Sequence, residues 1–493
     1  MSCLFPRGRS NRSVRPDPDD ALVRRLRSAL GQERVKSDAA ERIVMATDGS
    51  LIESGVAGPV CFPASTDDVQ AIVRIAAAHG RSVVARGSGT GLAGGAVPLG
   101  GSIAVVMTRM NRILEVDLDN RVAWVEPGVI NLDLTRQLLP LGFHFAPDPS
   151  SQQACSLGGN VSTNAGGPHC LAYGVTSAHV VAVEVVLADG TVVVLGGLDA
   201  EPGGLDLRGA FVGGEGMLGI CTRIAVRLTP NPPVVRTLLI GFDSVAGAAR
   251  TVSAIVGAGI VPSAAEIMDR GITQAIENFV HAGFPLEVEA VLLVEVDGLP
   301  AKVAADAERI AAIADEFGAG VVRVAGEDER QRLWQGRKAA FGAVAQIAPS
   351  YYLHDTVVPR SRLAEVLQQT YEIAERHNLA VVNVFHAGDG NLHPLLLFDP
   401  REDDSLARVH AAGAAIVRAS LAVGGSLSGE HGIGVEKREY MDLMFGPDDL
   451  DHQSRLRRGF DPHCRLNPGK VLPSPHSCAD LQALNSTPAG AWG

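Results

Sequence analysis

Apolar residues recur at helical spacing in two stretches near the start of the chain. Residues 19–35, DDALVRRLRSALGQERV, predict an amphipathic helix with Asp19 or Asp20 as its N-cap. Residues 67–80, DDVQAIVRIAAAHG, repeat the helical pattern and end on a glycine, and SVVAR at 82–86 follows as a short buried strand. This alternation of helix and strand predicts a nucleotide-type domain.

The strand leads into a glycine-rich stretch, RGSGTGLAGGAVPLGG at residues 86–101. Its glycines match G-x-G-x-x-G formally, but a dinucleotide fingerprint needs a helix to open at the motif, and here a Gly/Pro loop leads into another strand. A long loop whose successive N–H groups bind an anion remains, with a flexible surface loop as the alternative. A second small-residue stretch, CSLGGNVSTNAGG at 155–167, favours the first interpretation, because the two stretches together could enclose a flat, phosphate-bearing ligand.

Further along, VVNVFHAGDGNLHPLLLF at residues 381–398 reads as two apolar strands around a tight turn. The turn residues are glycine, aspartate and asparagine, and His386 and His393 stand on either side of it, roughly opposite each other. Cross-strand neighbours on one face are close enough for two imidazoles to bind one metal ion. The alternative is two polar residues at a strand end, bonded to nearby backbone.

A third potential ligand favours the metal. GGSLSGEHGIGVEK at residues 424–437 places Glu430 and His431 among five glycines, a composition that suits close backbone approach and no regular element. Two histidines and a glutamate leave coordination positions open for a substrate, as catalytic metal sites do. The set contains no thiolate and suits Zn or Mn, with Fe or Co possible.

Composition narrows the function. The chain has 493 residues, which predicts two or three domains, and a net charge of −12 without a basic cluster, which argues against nucleic acid as a ligand. Its seven cysteines are scattered and never in CxxC, which argues against a disulfide framework or an iron–sulfur cluster. No apolar run is long enough for a membrane span, and no signal peptide is recognisable, so we expect a cytoplasmic protein without direct membrane insertion.

In this order, the motifs resemble those of the FAD-linked oxidases of the vanillyl-alcohol oxidase type, over about residues 20 to 473. RGSGTGLAGGAVP resembles their pyrophosphate loop, PDPSSQQACSLGGNVSTNAGG at 147–167 the segment that lines the flavin, and GGEGMLGI at 213–220 the segment near the ribityl and adenosine. HAGDGNLHP, SGEHGIG and NPGKVLP at 467–473 resemble the C-terminal half of D-2-hydroxyacid dehydrogenases and of the glycolate oxidase flavoprotein subunit.

The resemblance implies an α+β fold, with a PCMH-type FAD-binding domain of two subdomains and a cap domain whose antiparallel sheet is backed by helices. The Pro-rich RLTPNPPVVR at 227–236 marks the boundary. We expect a disordered arm over residues 1–18, the FAD-binding domain over 19–230, the cap over 231–425, a segment returning to the flavin over 426–473, and a flexible tail over 474–493.

The resemblance also implies the FAD-binding residues. Thr90 stands where some members carry a histidine linked to the flavin, so FAD should be bound noncovalently. The implied set is Arg86, Gly87, Ser88, Gly89, Thr90, Gly91, Gly94, Gly95, Pro147, Asp148, Gly158, Gly159, Asn160, Thr163, Asn164, Gly166, Glu215, Gly219, Ile220 and Asn467.

For catalysis, His431 matches the family's base, and the implied reaction passes the C2 hydrogen of a 2-hydroxyacid to flavin N5 as hydride. RLWQGRKAAFGA at 332–343 matches the stretch that supplies an arginine to the substrate carboxylate, which assigns Arg337; the alternative is a solvated arginine, and Lys338 is expected at the surface. Relatives that act on 2-hydroxyglutarate carry a lysine where this chain has Leu353, which favours a small or apolar acid.

The segment YYLHDTVVPRSRL resembles the glycolate oxidase D subunit most, with D-lactate dehydrogenase as the alternative. The glycolate oxidase resemblance implies a homologous FAD-type subunit and an iron–sulfur subunit as partners, in a complex peripheral to the inner membrane. A homodimer that passes electrons to a cytochrome or dye is the alternative. Two other classes stay open: a non-redox FAD enzyme of the alkyl-dihydroxyacetonephosphate synthase type, and a flavin-free binding protein.

Overall fold

The computed structural model describes residues 18–50, 53–198 and 203–473. Most of the predicted N-terminal arm and the whole predicted tail from residue 474 lie outside the described residues. Within them, helices and sheets alternate in an α+β arrangement, as the sequence predicts.

The N-terminal half contains two larger sheets and a two-stranded one, which pairs Phe143–His144 with Thr229–Pro230. The first, of four strands in the order β1-β2-β4-β3, packs against helices α1 and α3, and the second, in the order β5-β6-β10-β8-β9, is antiparallel throughout. The helices here are Pro18–Leu30 (α1), Ala39–Val44 (α2), Thr66–Ala78 (α3), Asn131–Leu138 (α4), Leu157–Thr163 (α5), Cys170–Tyr173 (α6), Thr176–His179 (α7) and Leu207–Phe211 (α8). The strands are Val35–Lys36 (β1), Val60–Cys61 (β2), Val83–Arg86 (β3), Ile103–Val106 (β4), Ile113–Asp117 (β5), Val122–Val125 (β6), Phe143–His144 (β7), Val180–Val186 (β8), Val192–Gly196 (β9), Ile220–Arg227 (β10) and Thr229–Pro230 (β11).

The predicted elements of this half exist, with differences at two ends. Helix α1 begins at Pro18, so Asp19 and Asp20 lie inside it and neither is the N-cap; proline is favoured at the first helical position. The small-residue stretch after residue 155 contains helix α5, whose N-cap Ser156 accepts a hydrogen bond from the backbone N–H of Gly159. Between β3 and β4 no helix forms, and the two strands pair in parallel, as expected for a non-Rossmann loop.

The C-terminal half is built on a nine-stranded sheet. Neighbouring residues of β12 alternate between two apolar cores: Leu238 and Ile240 face helices α9, α11 and α13, whereas Leu239 faces α10 and α12. The strands are Val234–Phe242 (β12), Ala264–Asp269 (β13), Ala290–Gly298 (β14), Ala319–Val324 (β15), Ser350–Leu353 (β16), Thr356–Val357 (β17), Ala380–His386 (β18), Asn391–Leu392 (β19) and Pro394–Phe398 (β20). The helices are Val245–Gly257 (α9), Arg270–Val280 (α10), Pro300–Glu316 (α11), Glu327–Ala343 (α12), Leu363–Arg376 (α13), Ser405–Ala422 (α14), Met441–Met444 (α15) and Pro447–Phe460 (α16).

The last part of the chain returns to the glycine-rich loop. The backbone N–H groups of Val435 and Glu436 both donate to the carbonyl of Ala93, at 2.9 and 3.2 Å. Further on, Asn467 N–H donates to the carbonyl of Val83 at 2.8 Å, beside an isolated parallel bridge to the same strand. The C-terminal segment therefore joins the two halves of the molecule. Among the described residues no helix is long and apolar enough to cross a bilayer.

Candidate active site

A cavity of about 370 Å³ lies between the glycine-rich loop, helix α5 and the cap helix α12. Its wall combines loop backbone with side chains from both halves, including Phe341, Tyr351 and Leu353 from the cap. Ten of the predicted FAD-binding residues line it: Gly87, Ser88, Gly89, Thr90, Gly91, Gly95, Gly159, Asn160, Thr163 and Glu215.

The other predicted FAD-binding residues lie outside this lining and make contacts that shape it. A Cβ on Gly158 would lie 2.5 Å from Pro127, and one on Gly219 would lie 2.2 Å from Val185, so these glycines permit close packing. Asn467 donates from Nδ2 to the carbonyls of Gly95 and Glu215, at 2.9 and 2.6 Å, and ties two cavity loops together. The residues outside the lining are Arg86, Gly94, Pro147, Asp148, Gly158, Asn164, Gly166, Gly219, Ile220 and Asn467.

The cavity fits a nucleotide cofactor held by backbone. A Cβ added to Gly91 would meet nothing closer than Asp48 Oδ2 at 3.9 Å, and one added to Gly216 nothing closer than Asn467 Nδ2 at 3.8 Å, although both glycines line the cavity. Side chains at these positions would occupy the space that a ligand needs. The binding role of each lining residue stays a prediction.

At one side of the cavity the predicted metal ligands come together. His386 Nε2 and His393 Nε2 lie 3.2 and 3.0 Å from the same oxygen, Oε1 of Glu430, while Glu430 Oε2 is buried without a hydrogen-bond partner. One ligand atom from each residue lies within 4.8 Å of the others, the one such group among the described residues. Two imidazole nitrogens and a carboxylate oxygen brought this close together form a donor set that suits a divalent cation.

The hairpin brings the histidines together diagonally. His386 pairs with Asn391 across the turn, and His393 follows two residues later on the same face, so the two histidines are not directly opposite. Their ring centroids are 5.0 Å apart and edge-to-face. The two rings are therefore brought together by a diagonal arrangement, and not by the direct cross-strand pairing that we expected.

Glu266 orients one of the histidines. His386 Nδ1 lies 2.7 Å from Glu266 Oε1, which leaves Nε2 to point at Glu430. Arg337 donates from Nε to Glu266 Oε2 at 2.7 Å, and its Nη1 is buried without a partner. Burial raises the pKa of Glu266, but Arg337 and His386 outweigh it and lower that pKa overall. A carboxylate behind a ligand histidine is the usual way to hold the ring of a metal ligand in place.

Asp355 shapes the loop that carries Glu430 and His431. Its carboxylate accepts hydrogen bonds from the backbone N–H of Gly429 and His431 at 3.0 and 3.2 Å, and from Ser428 Oγ at 2.5 Å. A buried lysine, Lys437, pairs with it at 3.3 Å. The aspartate therefore holds a glycine-rich loop in one conformation. Its buried charge had no signal in the sequence beyond its place two residues after Leu353.

His431 lies beside the cluster of His386, His393 and Glu430 and in the cavity wall. Its ring stacks on His393 with centroids 5.1 Å apart and an interplanar angle of 4°, and its Nε2 is 3.8 Å from Glu430 Oε1. Burial lowers the pKa of His431 to about 4, against the opposing effect of Asp355. An imidazole in this place is neutral at neutral pH and has a nitrogen available to accept a proton.

Two neighbouring cations of helix α12 lie in different environments. Arg337 is fully buried, 1% exposed, and does not line the cavity, whereas Lys338, expected at the surface, does line it. The two residues are successive on a helix, so their side chains project about 100° apart. Helix α12 turns Arg337 toward Glu266 and Lys338 toward the cavity, which no pattern in a charged helix reveals.

A charged network joins the two halves beside the cavity. His169 Nδ1 lies 3.0 Å from Asp148 Oδ2, its ring stacks on Trp334, and its Nε2 is 3.5 Å from Glu295. Arg330 pairs with Glu295 at 2.8 Å. Burial alone lowers the pKa of His169, but Asp148 and Glu295 outweigh it and raise the pKa to about 10.

Comparison with known proteins gives two matching families: residues 57–196 match an FAD binding domain and residues 231–471 match FAD linked oxidases, C-terminal domain. The glycolate oxidase subunit GlcD of Escherichia coli strain K12 is 45% identical over 427 residues, which cover 86% of each chain. The chain belongs to the FAD-linked oxidases. It is an FAD-dependent oxidoreductase, and we infer that the cavity built by the glycine-rich loop is its FAD site.

A second sequence relative and a solved structure are also similar to this chain. A D-lactate dehydrogenase of Anaerostipes hadrus is 33% identical, over 83% of this chain and 88% of its own. The crystal structure of p-cresol methylhydroxylase with substrate bound superposes with a TM-score of 0.79 at 17% identity, over 92% of this chain and 97% of that one. This likeness confirms the predicted PCMH-type α+β fold. The oxidoreductase family sets aside the non-redox and flavin-free alternatives.

Proposed function

We propose that the chain oxidises a small 2-hydroxyacid to the corresponding 2-oxoacid, with glycolate as the first candidate and D-lactate as the second. One observation carries this proposal: Glu430 belongs both to the cluster with His386 and His393 and to the wall of the FAD cavity. A site for a chelated substrate therefore borders the site of the redox cofactor. The names of the Escherichia coli and Anaerostipes relatives support the same class of substrate.

His386, His393 and Glu430 are proposed to hold a divalent metal, Zn or Mn first. The buried, unpartnered Oε2 of Glu430 supports this, because an orphaned carboxylate oxygen is costly unless a cation meets it. A bound divalent ion supplies Lewis acidity that lowers the pKa of a hydroxyl group, and bound FAD supplies the acceptor for two electrons and the C2 hydrogen.

His431 is proposed to take the hydroxyl proton. Its Nδ1 lies 4.0 Å from Asp355 Oδ2 and its Nε2 faces the metal cluster, so Nε2 is the atom that accepts the proton. Asp355 then stabilises the imidazolium that forms. Since Asp355 also binds the backbone of this loop, one buried carboxylate both positions the base and balances its charge.

Arg337 is proposed to contact the substrate carboxylate through Nη1. Two of its nitrogens are committed to Glu266, and Nη1 remains a buried donor without a partner. A buried cation with a free donor accommodates an anionic ligand at low cost. Through Glu266 the same arginine also supports His386.

The cap side of the cavity favours small acids. Leu353, Tyr351 and Phe341 line it. The family resemblance implies a lysine at the position of Leu353 in relatives that act on 2-hydroxyglutarate. The part of the wall around Leu353 is apolar, and without a lysine at this position it penalises a distal carboxylate placed against it. Short or apolar 2-hydroxyacids are therefore preferred.

The decisive experiment is anaerobic titration of the yellow holoenzyme with a 2-hydroxyacid. We expect glycolate or D-lactate to bleach the flavin absorbance, and 2-hydroxyglutarate to do so at least tenfold more slowly. A flavin that stays oxidised with all of these acids would contradict the proposed reaction. The cofactor should leave the polypeptide on acid denaturation, because Thr90 offers no nucleophile of the histidine type; flavin retained on the denatured chain would contradict noncovalent binding.

The electrons are proposed to leave through partner subunits, a homologous FAD-type subunit and an iron–sulfur subunit, in a cytoplasmic complex at the inner membrane. The cysteine pattern supports this, because the seven cysteines are scattered along the sequence and lack the CxxC spacing typical of iron–sulfur ligands. We expect turnover by the isolated chain to be faster with an artificial dye than with oxygen, and fastest in extract containing its native neighbours. Equal rates with oxygen and dye would identify a self-sufficient oxidase.

A further inference from the structure

Lys338 enters the FAD cavity from the cap. On helix α12 it shares one face with Trp334 and Phe341, which lie four residues before and three residues after it. Trp334 packs against His169 of the N-terminal half, and Phe341 lines the cavity. Helix α12 therefore turns this face toward the FAD-binding half. Lys338 is the positively charged residue among these three.

Few charged side chains line the cavity. Its acidic lining residues are Glu215 and Glu430, and Lys338 is the single lysine or arginine among the described lining residues. Glu215 is held by the backbone N–H groups of Ile433 and Gly434 at 2.7 and 2.9 Å, and Glu430 faces the histidine cluster. Neither carboxylate is bonded to Lys338, so its charge is available to a ligand of the cavity.

The protein partners of Lys338 are distant. Its Nζ lies 3.5 Å from Gln152 Oε1 and 4.0 Å from Asp148 Oδ2, an oxygen that already pairs with His169 at 3.0 Å. The side chain is 35% exposed, which leaves N–H donors free. Both neighbours belong to residues 147–167, the stretch whose motif resembles the flavin-lining segment. Arg337, by contrast, is turned toward Glu266 and the histidine cluster.

We infer that Lys338 contacts the flavin ring and stabilises its reduced form, acting as a catalytic residue toward the cofactor while Arg337 serves the substrate. Oxidation of a 2-hydroxyacid gives the flavin a hydride, which is two electrons and one proton, while the hydroxyl proton goes to His431. The neutral flavin ring thereby gains one negative charge. An ammonium group beside the ring lowers the energy of this charged form. The inference rests on the proposed function only in taking the bound flavin as the electron acceptor.

The test compares the reduction potential of the holoenzyme with that of Lys338→Met, Lys338→Gln and Lys338→Arg. Each is measured anaerobically against a reference dye, without any hydroxyacid. Sulfite, which forms an anionic adduct with flavins, is a second probe. The matched control is Lys302→Met, because Lys302 is an exposed lysine paired with Asp306 far along the cap sequence.

For Lys338→Met and Lys338→Gln we expect the equilibrium between oxidised and reduced flavin to shift at least tenfold toward the oxidised form, about 30 mV for a two-electron couple. Sulfite should bind at least tenfold more weakly to both variants. Lys338→Arg and Lys302→Met should stay within threefold of the parent protein.

Unchanged potentials and sulfite affinities in both neutral variants would overturn the inference, and so would an equal shift in Lys302→Met. A third measurement separates the flavin from the substrate: binding of 2-hydroxy-2-methylpropanoate, a hydroxyacid with no C2 hydrogen to donate. Weakened binding of this acid with an unchanged potential would place Lys338 at the substrate and overturn its role at the flavin. Because the dye and sulfite titrations need no hydroxyacid, they remain decisive even if the proposed substrate class is wrong.

Discussion

The FAD cavity and the histidine cluster share a wall but are built in opposite ways. The cavity is lined largely by small residues, with glycines such as Gly91 and Gly216 leaving space where side chains would stand. The cluster is formed by buried charged side chains, each held by another: Glu266 behind His386, and Asp355 behind the loop of Glu430. The cavity depends on glycines that have no side chain, whereas the cluster depends on buried charges that are paired with one another.

This difference teaches which changes each region tolerates. Added volume should damage the cavity, whereas loss of a single charge should damage the cluster, because a buried charge without its partner is costly. The two regions should also fail separately, since the cavity lining and the cluster share only Glu430 among the described residues. Loss of metal with flavin retained, and the reverse, are the outcomes that distinguish them.

The largest effect is expected from removing a ligand. His386→Ala, His393→Ala or Glu430→Ala should lose the divalent metal and reduce activity by at least about 100-fold, since losing even a supporting partner of a ligand costs about 10–100-fold. FAD absorbance should be unchanged. Elemental analysis and visible spectra measure both, with His452→Ala, an exposed histidine, as the control. Full activity in a metal-free triple variant would disprove the metal site.

Glu266→Gln tests the carboxylate behind the cluster. We expect metal affinity and activity to fall about 10–100-fold, because the amide cannot balance both His386 and Arg337. Glu295→Gln is the matched control: this glutamate is equally buried and paired with Arg330 but does not contact the cluster. Metal titration of both variants gives the answer. Equal loss of metal in Glu266→Gln and Glu295→Gln would mean that the substitutions destabilise the protein in general, and that Glu266 does not act by orienting His386.

Gly91→Leu tests whether added volume in the cavity removes FAD but leaves the histidine cluster intact. The added side chain would occupy the space beside the glycine-rich loop, so FAD affinity should fall at least about tenfold while the metal content stays that of the parent. Fluorescence titration of the apoprotein with FAD measures the first and elemental analysis the second. Gly257→Leu, at a glycine whose Cβ would meet nothing within 4 Å, is the control. Joint loss of both ligands would show that the regions are not independent.

The smallest effect concerns the network between the halves. The pKa of His169 is raised to about 10, so its contribution to stability is complete below its unfolded pKa near 6.5 and is lost as the pH rises through 10. We expect His169→Gln to destabilise the protein by on the order of 1–3 kcal/mol at pH 6, because Asp148 loses its partner, and by progressively less toward pH 10. Urea unfolding of both proteins at pH 6, 8 and 10 checks this. A difference that does not change with pH would show that His169 is not charged in the folded state.

Local patterns predicted much of the fold because they are properties of adjacent residues. The helix after residue 66 has its apolar positions at a period of 3.6, and its N-cap Ser65 accepts from the backbone of Asp68. The absence of a helix after β3 followed from the Gly/Pro loop. Helix α5 was harder to see, because its small residues carry no amphipathic pattern.

By itself the sequence identified the three residues that cluster, the glycine-rich loop and the FAD-linked family, because turn residues, glycine content and the order of motifs are properties of the chain itself. The tertiary structure alone decided which way each charge points. Arg337 and Lys338 are adjacent in sequence, yet helix α12 sends one toward Glu266 and the other into the cavity. Likewise Glu266 and Asp355 reach the cluster only through sheet pairing and loop docking across 120 and 75 positions. Contacts between distant segments depend on how whole sheets and helices pack, and no local period encodes that packing.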